Sequence, residues 1–145
     1  MSFKRVNGKT KIVWRPLATS TACSVDSIVA WNGSGYLTAA TSSTAPTAHV
    51  GVIRKAITSA SPEYTTAGLV PVEVPVEKNV EWIGSVTSGL VAADRGLFQD
   101  LTDASTVNRG ASTYDAVQCV EVISTTKGKF ILNLGCEGMG VAGAA

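Results

Sequence analysis

The sequence predicts an all-β fold, and three observations support this prediction. Hydrophobic residues make up 45% of the 145-residue chain but aromatic residues only 6%, so valine, alanine and threonine supply much of the surface to be buried. Valine and threonine favour strands. The segment Val70–Glu77 alternates valine with proline or glutamate, and two other regions have the pattern of β-hairpins. These features indicate strands joined by turns.

The Val70–Glu77 segment predicts a half-buried strand. Every even position is valine and every odd position is proline or glutamate, so the valines share one face of the strand. Pro71 and Pro75 lack the N–H groups that would point to one lateral side, and proline or charge at an edge discourages unwanted pairing. We therefore expect an edge strand whose proline side no other strand extends. Partners would contact loops, the N-terminal arm or the face opposite the valines.

Ahead of this strand, apolar runs alternate with turn residues. Residues 1–21 mix basic side chains with the short apolar group Ile12–Trp14, which predicts an extended N-terminal arm entering a first strand. The turn sequence Asn32–Gly35 between two strand-forming runs predicts a hairpin. A surface loop at 41–47 and a strand at 51–57 should follow.

After this strand, the same pattern continues. The run 79–86 begins by alternating apolar and polar residues, which predicts a strand. Gly96 weakens a helical interpretation of its surroundings, so we expect a loop and a strand there. Two apolar runs flanking residues 124–128 predict a second hairpin.

These elements define one β domain at residues 22–134. The arm at 1–21 precedes it, and a glycine-rich tail at 135–145 follows it. A chain of this length can bury a core without metal or disulfide support.

Charge and composition restrict the function classes. With a net charge of +1 and 16% charged residues, the chain has no electrostatic basis for binding nucleic acid directly, and no apolar run is long enough to cross a membrane. No secretory signal is visible. Cys23, Cys119 and Cys136 lack metal-binding spacing. We expect reduced thiols in a protein made in the cytosol, with Cys119 in the core.

The sequence shows no catalytic or metal-binding constellation, and we expect neither enzymatic activity nor a cofactor. A hydrolase centred on His49 would need a nucleophile and an orienting partner that the sequence does not supply, so a solvated loop histidine is favoured. Asp94, Asp100 and Asp103 do not follow the spacing of a calcium loop. Residues Asp100–Asp103 are more typical of a turn or capping element.

The aromatic residues leave a second class of function open. Trp31, Tyr36 and Trp82 could form a platform on which a sugar stacks, which would make the chain a carbohydrate-binding or adhesin module. Anchoring in a core or interface is the favoured interpretation of such residues.

Several stretches together resemble the capsid decoration proteins of tailed bacteriophages, also called head auxiliary or cement proteins. The resemblance covers roughly residues 22–134, and the glycine-rich tail has no counterpart that can be matched. The stretches that carry it are Asp26–Val29, Asn32–Leu37, His49–Ile53, Leu69–Pro75, Gly96–Leu101 and Ala116–Thr126.

The resemblance implies a small antiparallel β-sandwich or barrel of the β-tulip kind. Such proteins commonly sit as trimers on the outside of a filled head and reinforce contacts between subunits of the major capsid protein. We therefore expect a virion structural protein on the capsid exterior, made in the host cytoplasm, with the major capsid protein and itself, as a homotrimer, for partners. The candidate contact residues are the basic and aromatic residues of the arm: Phe3, Lys4, Arg5 and Trp14.

Overall fold

The computed structural model describes residues 3–135, and this part of the chain folds mainly into strands, which confirms the predicted all-β class. The only α-helix of the described part is Pro62–Thr66 (α1), with five residues. No helix within residues 3–135 is long and apolar enough to span a membrane. The strands are Lys4–Asn7 (β1), Thr10–Pro16 (β2), Ile28–Trp31 (β3), Leu37–Ala39 (β4), His49–Ile53 (β5), Leu69–Pro75 (β6), Glu81–Val86 (β7), Phe98–Asp103 (β8), Thr106–Asn108 (β9), Val117–Ser124 (β10) and Lys127–Leu132 (β11).

Five strands close into a small barrel in the order β7-β11-β10-β8-β9. Their pairings are antiparallel except that β9 runs parallel to β7, where Ser85 pairs with Thr106, and this pairing closes the barrel. Strand β1 pairs with β7 and lies at the edge of the same sheet. Trp82 of β7 and Phe130 of β11 are among the largest side chains of the barrel core. The β10–β11 hairpin is the second hairpin predicted from the sequence.

The other five strands form a curled antiparallel sheet in the order β2-β6-β5-β3-β4. Its two outer strands meet at one end, where Leu17 bridges Leu37 and the N–H of Ala18 donates to the Leu37 carbonyl at 2.9 Å. Side chains on the concave face, including Leu17, Leu37 and the first three valines of the Val70–Glu77 segment, form a second core. The β3–β4 hairpin is also as predicted.

The Val70–Glu77 segment lies inside this sheet, so the predicted edge position is wrong. Its strand, β6, pairs with β2 over seven residues and with β5 at Val72 and Glu73. On the proline side, the Pro71 carbonyl accepts a hydrogen bond from the N–H of Arg54 at 2.9 Å. Proline lacks the donor but keeps the acceptor, so a short strand can still pair on this side.

The two faces of β6 also differ in part from the prediction. The first three valines are fully buried as predicted, but Val76 lies beyond the end of the strand and is exposed. On the opposite face Glu73 is buried, although the alternation predicts a solvent-facing residue. The reason is its neighbour across the ladder, Val52, which packs in the barrel-side core. At Glu73 this face of β6 therefore turns toward the barrel, whereas at Leu69, at the start of the strand, the same face is exposed.

The residues predicted to form a separate arm are strands of the fold. Strand β1 lies at the edge of the barrel sheet and β2 lies at the edge of the curled sheet, so the expected boundary at residue 21 does not divide an arm from the domain. Gly135 ends the described part, and its N–H donates to the carbonyls of Pro46 and His49. The rest of the tail predicted at 135–145 lies outside the described residues.

Candidate interaction surface at the sheet junction

Arg54, just after β5, joins the two sheets. Its guanidinium carbon lies 5.8 Å from the centroid of the Trp82 ring in the barrel, and the group forms ion pairs with Asp26 and Glu73. Nε donates to Glu73 Oε1 at 2.5 Å, and Nη1 donates to the Phe3 carbonyl at 3.2 Å. A planar guanidinium can stack on a ring while it donates to several acceptors. Arg54 therefore fixes strands from both sheets at one place.

Glu73 is the acidic centre of this junction. Its Oε2 accepts hydrogen bonds from Thr10 Oγ1 on β2 at 2.5 Å and from Arg5 Nε on β1 at 3.2 Å. Burial alone would raise the pKa of Glu73, but hydrogen bonds from Thr10 and Arg54 and the charge of Arg54 outweigh burial and hold this pKa below its usual value. Glu73 is therefore ionised at neutral pH.

Two cations of the junction, Lys4 and Arg5, face outward, and its anions face inward. The side chains of Lys4 and Arg5 are 60% and 43% exposed, whereas those of Asp26 and Glu73 are each 10% exposed. These four residues line one cleft together with Arg54. The chain also has no acidic residue before Asp26. The outer side of the junction is therefore positively charged.

An apolar strip continues from this cleft along β2 and β6. Ile12 lies opposite Glu73 in the ladder, and Trp14 lies opposite Pro71. Leu69, Pro71 and Glu73 alternate along β6 and so share a face. Ile12, Trp14 and Leu69 are 48%, 55% and 58% exposed, respectively. Grouped apolar side chains of this size beside charged groups are typical of interaction surfaces. We call this surface the junction strip and define it as Lys4, Arg5, Ile12, Trp14 and Leu69.

Three of the four contact residues predicted from the sequence lie on the junction strip: Lys4, Arg5 and Trp14. Phe3 does not, because it is fully buried in the barrel core. Its ring lies so close to Gly84 of β7 that a Cβ on Gly84 would come within 2.6 Å of it. Phe3 therefore anchors β1 and has no surface for an outside contact.

Sequence reasoning missed Ile12 as a contact residue, as well as Leu69. Both have a signal in the sequence. Ile12 is two residues from Trp14, so it shares a strand face with a predicted contact residue. Leu69 is two residues before Pro71, so it shares the face opposite the valines, which was expected to contact partners.

His49 is buried on strand β5, so the predicted solvated loop histidine is wrong. The strand begins directly after a short 3-10 turn at Pro46–Ala48, and His49 pairs with Ala30. Burial lowers the pKa of His49 to about 4, with a smaller opposing effect from the backbone of Asn133. Neither ring nitrogen makes a hydrogen bond of ordinary geometry with the described residues. The imidazole is therefore neutral at pH 7 and enclosed by the fold.

The acidic residues considered for metal binding hold backbone groups. Asp100 accepts hydrogen bonds from the N–H groups of residues 113–115 at 2.7–3.0 Å. Asp103 accepts one from the N–H of Ser105 at 2.9 Å, in the β8–β9 turn. Asp100–Asp103 belongs to strand β8, so the prediction of a turn or capping element is wrong for this segment, and only Asp103, at the end of the strand, holds a turn. Within residues 3–135, no three His, Cys, Asp or Glu side chains gather closely enough to hold a metal ion.

Two cysteines lie in the cores as free thiols. Cys119 is buried as predicted, and Cys23 is buried in the curled sheet. Burial raises the pKa of both thiols, that of Cys23 to about 11. Both are therefore protonated and poorly reactive at neutral pH. Cys136 lies outside the described residues.

The aromatic residues considered for a sugar platform do not share an exposed surface. Trp82 is buried beneath Arg54, and Trp31 is partly buried on β3. Tyr36, beside the β3–β4 turn, is exposed. An aromatic sugar contact would therefore depend on Tyr36 and the exposed part of Trp31.

The chain matches no protein-family model, and no curated protein matches its sequence.

Proposed function

We propose that this chain is a decoration protein of a tailed-bacteriophage head. It would bind the outer surface of the capsid as a virion structural protein and stabilise contacts between subunits of the major capsid protein. The observation that carries this proposal is the junction strip, where exposed apolar side chains lie beside outward-facing cations at the edges of two sheets. The resemblance in sequence supports the same role.

The fold suits this role for a physical reason. A ligand that binds the assembled shell better than separated subunits stabilises the shell by its binding free energy. The binding surface must stay rigid for this, because ordering a mobile surface costs free energy on binding. A closed barrel joined to a curled sheet through Arg54 and Glu73 supplies such rigidity. A homotrimer would present three strips, so that individually weak contacts act together.

Undecorated heads of the phage that encodes this chain provide the direct test. We expect purified protein to sediment with the heads and to raise the temperature at which they release DNA. Tyr36→Ala should bind heads like the wild type, because Tyr36 lies outside the junction strip. Absence of binding, with no gain in heat resistance, would refute the proposal. Binding to glycans that Tyr36→Ala abolishes would favour the carbohydrate-binding alternative. Sedimentation equilibrium of the free protein tests the trimer.

A further inference from the structure

We propose that the junction strip recognises an acidic and apolar segment of its protein partner. Carboxylates of the segment would contact Lys4 and Arg5, and its apolar side chains would cover Ile12, Trp14 and Leu69. The inference rests on the proposed function for the identity of the larger partner, a capsid subunit. The chemistry of the contact comes from the charges and exposures of the strip itself.

Two buried acids, Asp26 and Glu73, line the cleft beneath the exposed cations. Arg54 pairs with both Asp26 and Glu73 and balances one of their two negative charges. Together with Lys4 and Arg5, the cleft carries one net positive charge. Lys4 reaches Asp26 only at 3.9 Å and keeps most of its side chain in solvent. Arg5 contacts Glu73 through Nε and the Gly8 carbonyl through Nη1, while a guanidinium carries five N–H donors. An incoming carboxylate therefore meets exposed cations and no exposed anion in this cleft.

The apolar half of the strip indicates which other side chains the partner segment must carry. Trp14 lies across the ladder from Pro71, and Leu69 follows on the same face, so a partner that covers Trp14 also meets Leu69. Tryptophan is one of the residue types enriched among the side chains that contribute most to binding at protein interfaces. The contact thus requires apolar side chains within a few residues of the carboxylates.

Nucleic acid fits this surface less well than protein. Binding to a phosphate backbone uses cations repeated along the path of the strand, whereas Lys4 and Arg5 give way to Ile12, Trp14 and Leu69 along the strip. A second copy of the chain also fits poorly. A symmetric contact about the middle of two strips would place the cations of each copy on the apolar part of the other, where they would lose water without gaining a carboxylate partner.

Matched variants separate the two halves of the strip. Trp14→Ala is expected to weaken partner binding at least about tenfold, and its control is Ile123→Ala, an apolar residue on β10 that is also about half exposed. Lys4→Glu is expected to weaken binding several-fold, and its control is Lys127→Glu in the β10–β11 hairpin. Raising the salt concentration should weaken wild-type binding and should affect Lys4→Glu less.

The experiment measures binding of these variants to undecorated heads and to two synthetic peptides. One peptide alternates glutamate with valine, the other alternates lysine with valine, and a DNA duplex serves as a third probe. We expect binding to the heads and to the glutamate peptide, with both weakened by Trp14→Ala and Lys4→Glu but not by the two controls. Urea unfolding of each variant shows whether it is folded.

The outcomes distinguish this inference from the proposed function. If heads bind and the strip variants bind them like the wild type, the inference is refuted and the decoration role stands. If heads do not bind but the glutamate peptide does, through Trp14 and Lys4, the inference stands and the decoration role is refuted. Preference for the lysine peptide or for DNA overturns the inference. Binding to no probe overturns both proposals.

Discussion

Replacing Glu73 with glutamine should lower the free energy of unfolding by about 2–3 kcal/mol at pH 7. The magnitude follows from what the carboxylate contacts. Thr10 and Arg54 each donate to it at 2.5 Å, and Arg5 donates at 3.2 Å. Arg5 is partly exposed, so its share is small. Arg54 is largely buried, and loss of a charged partner leaves a buried cation less well compensated.

Urea unfolding followed by tryptophan fluorescence measures this change. Glu121→Gln is the matched control, because Glu121 also pairs with an arginine, Arg95 at 2.6 Å, but both side chains are about half exposed. That exposed pair should contribute less than about 1 kcal/mol. Equal losses in Glu73→Gln and Glu121→Gln would contradict the structural role of the junction.

The pH dependence of the same pair gives a second readout. Because the pKa of Glu73 is lower in the folded state than its ordinary value of 4.5, the unfolded state binds more protons as the solution is acidified. The stabilisation is therefore complete above about pH 4.5 and is lost as pH falls through the lower folded pKa. The difference between wild type and Glu73→Gln should shrink below pH 4.5, and a difference that stays constant down to pH 2 would refute this cause.

Three further predictions follow from buried groups. The pKa of His49 is about 4 in the folded protein, against an ordinary value of 6.5. Because the unfolded state binds more protons between these values, the free energy of unfolding should fall by roughly 3 kcal/mol from pH 6.5 to 4. Urea unfolding of His49→Leu should not show this pH dependence. Gly84→Ala should cost at least about 2 kcal/mol because the new Cβ has no space, whereas the control Gly110→Ala, with its nearest neighbour atom at 3.7 Å, should be nearly neutral in thermal unfolding. Residue-resolved alkylation at pH 8 should modify Cys23 and Cys119 only after unfolding, and rapid labelling of the native protein would contradict their burial.

Local features of the fold could be predicted from the sequence because their causes are local. The Asn32–Gly35 turn and the alternation of valines act within a few residues, so the first hairpin and the buried face of β6 follow from them. The interior position of β6 depends on β5, which lies outside this segment and pairs with β6 on its proline side. No residue within Val70–Glu77 indicates that pairing. Two prolines on one side of a strand are compatible both with a sheet edge and with a short neighbouring strand.

Only part of the candidate surface could be predicted, because burial depends on contacts with residues far away in the sequence. Residue type alone suggested that Lys4, Arg5 and Trp14 make contacts, and it suggested Phe3 equally. What separates them is Gly84, which lies in the middle of β7 and gives the Phe3 ring room to pack. A glycine inside a strand is a signal of close approach, but the sequence does not say which of the three phenylalanines approaches it.

The ion cluster and the junction strip form one mechanical unit. Strands β1 and β2 belong to different sheets, yet Arg5 and Thr10 both bind the same oxygen of Glu73. A partner seated on Lys4, Arg5 and Trp14 would therefore contact both sheets at the place where they are joined. Separation of the sheets would break the ion cluster and the partner contact together, so binding free energy adds to the stability of the junction. This coupling explains why so many charged groups are buried at the base of the strip: they keep its cationic and apolar halves in fixed register.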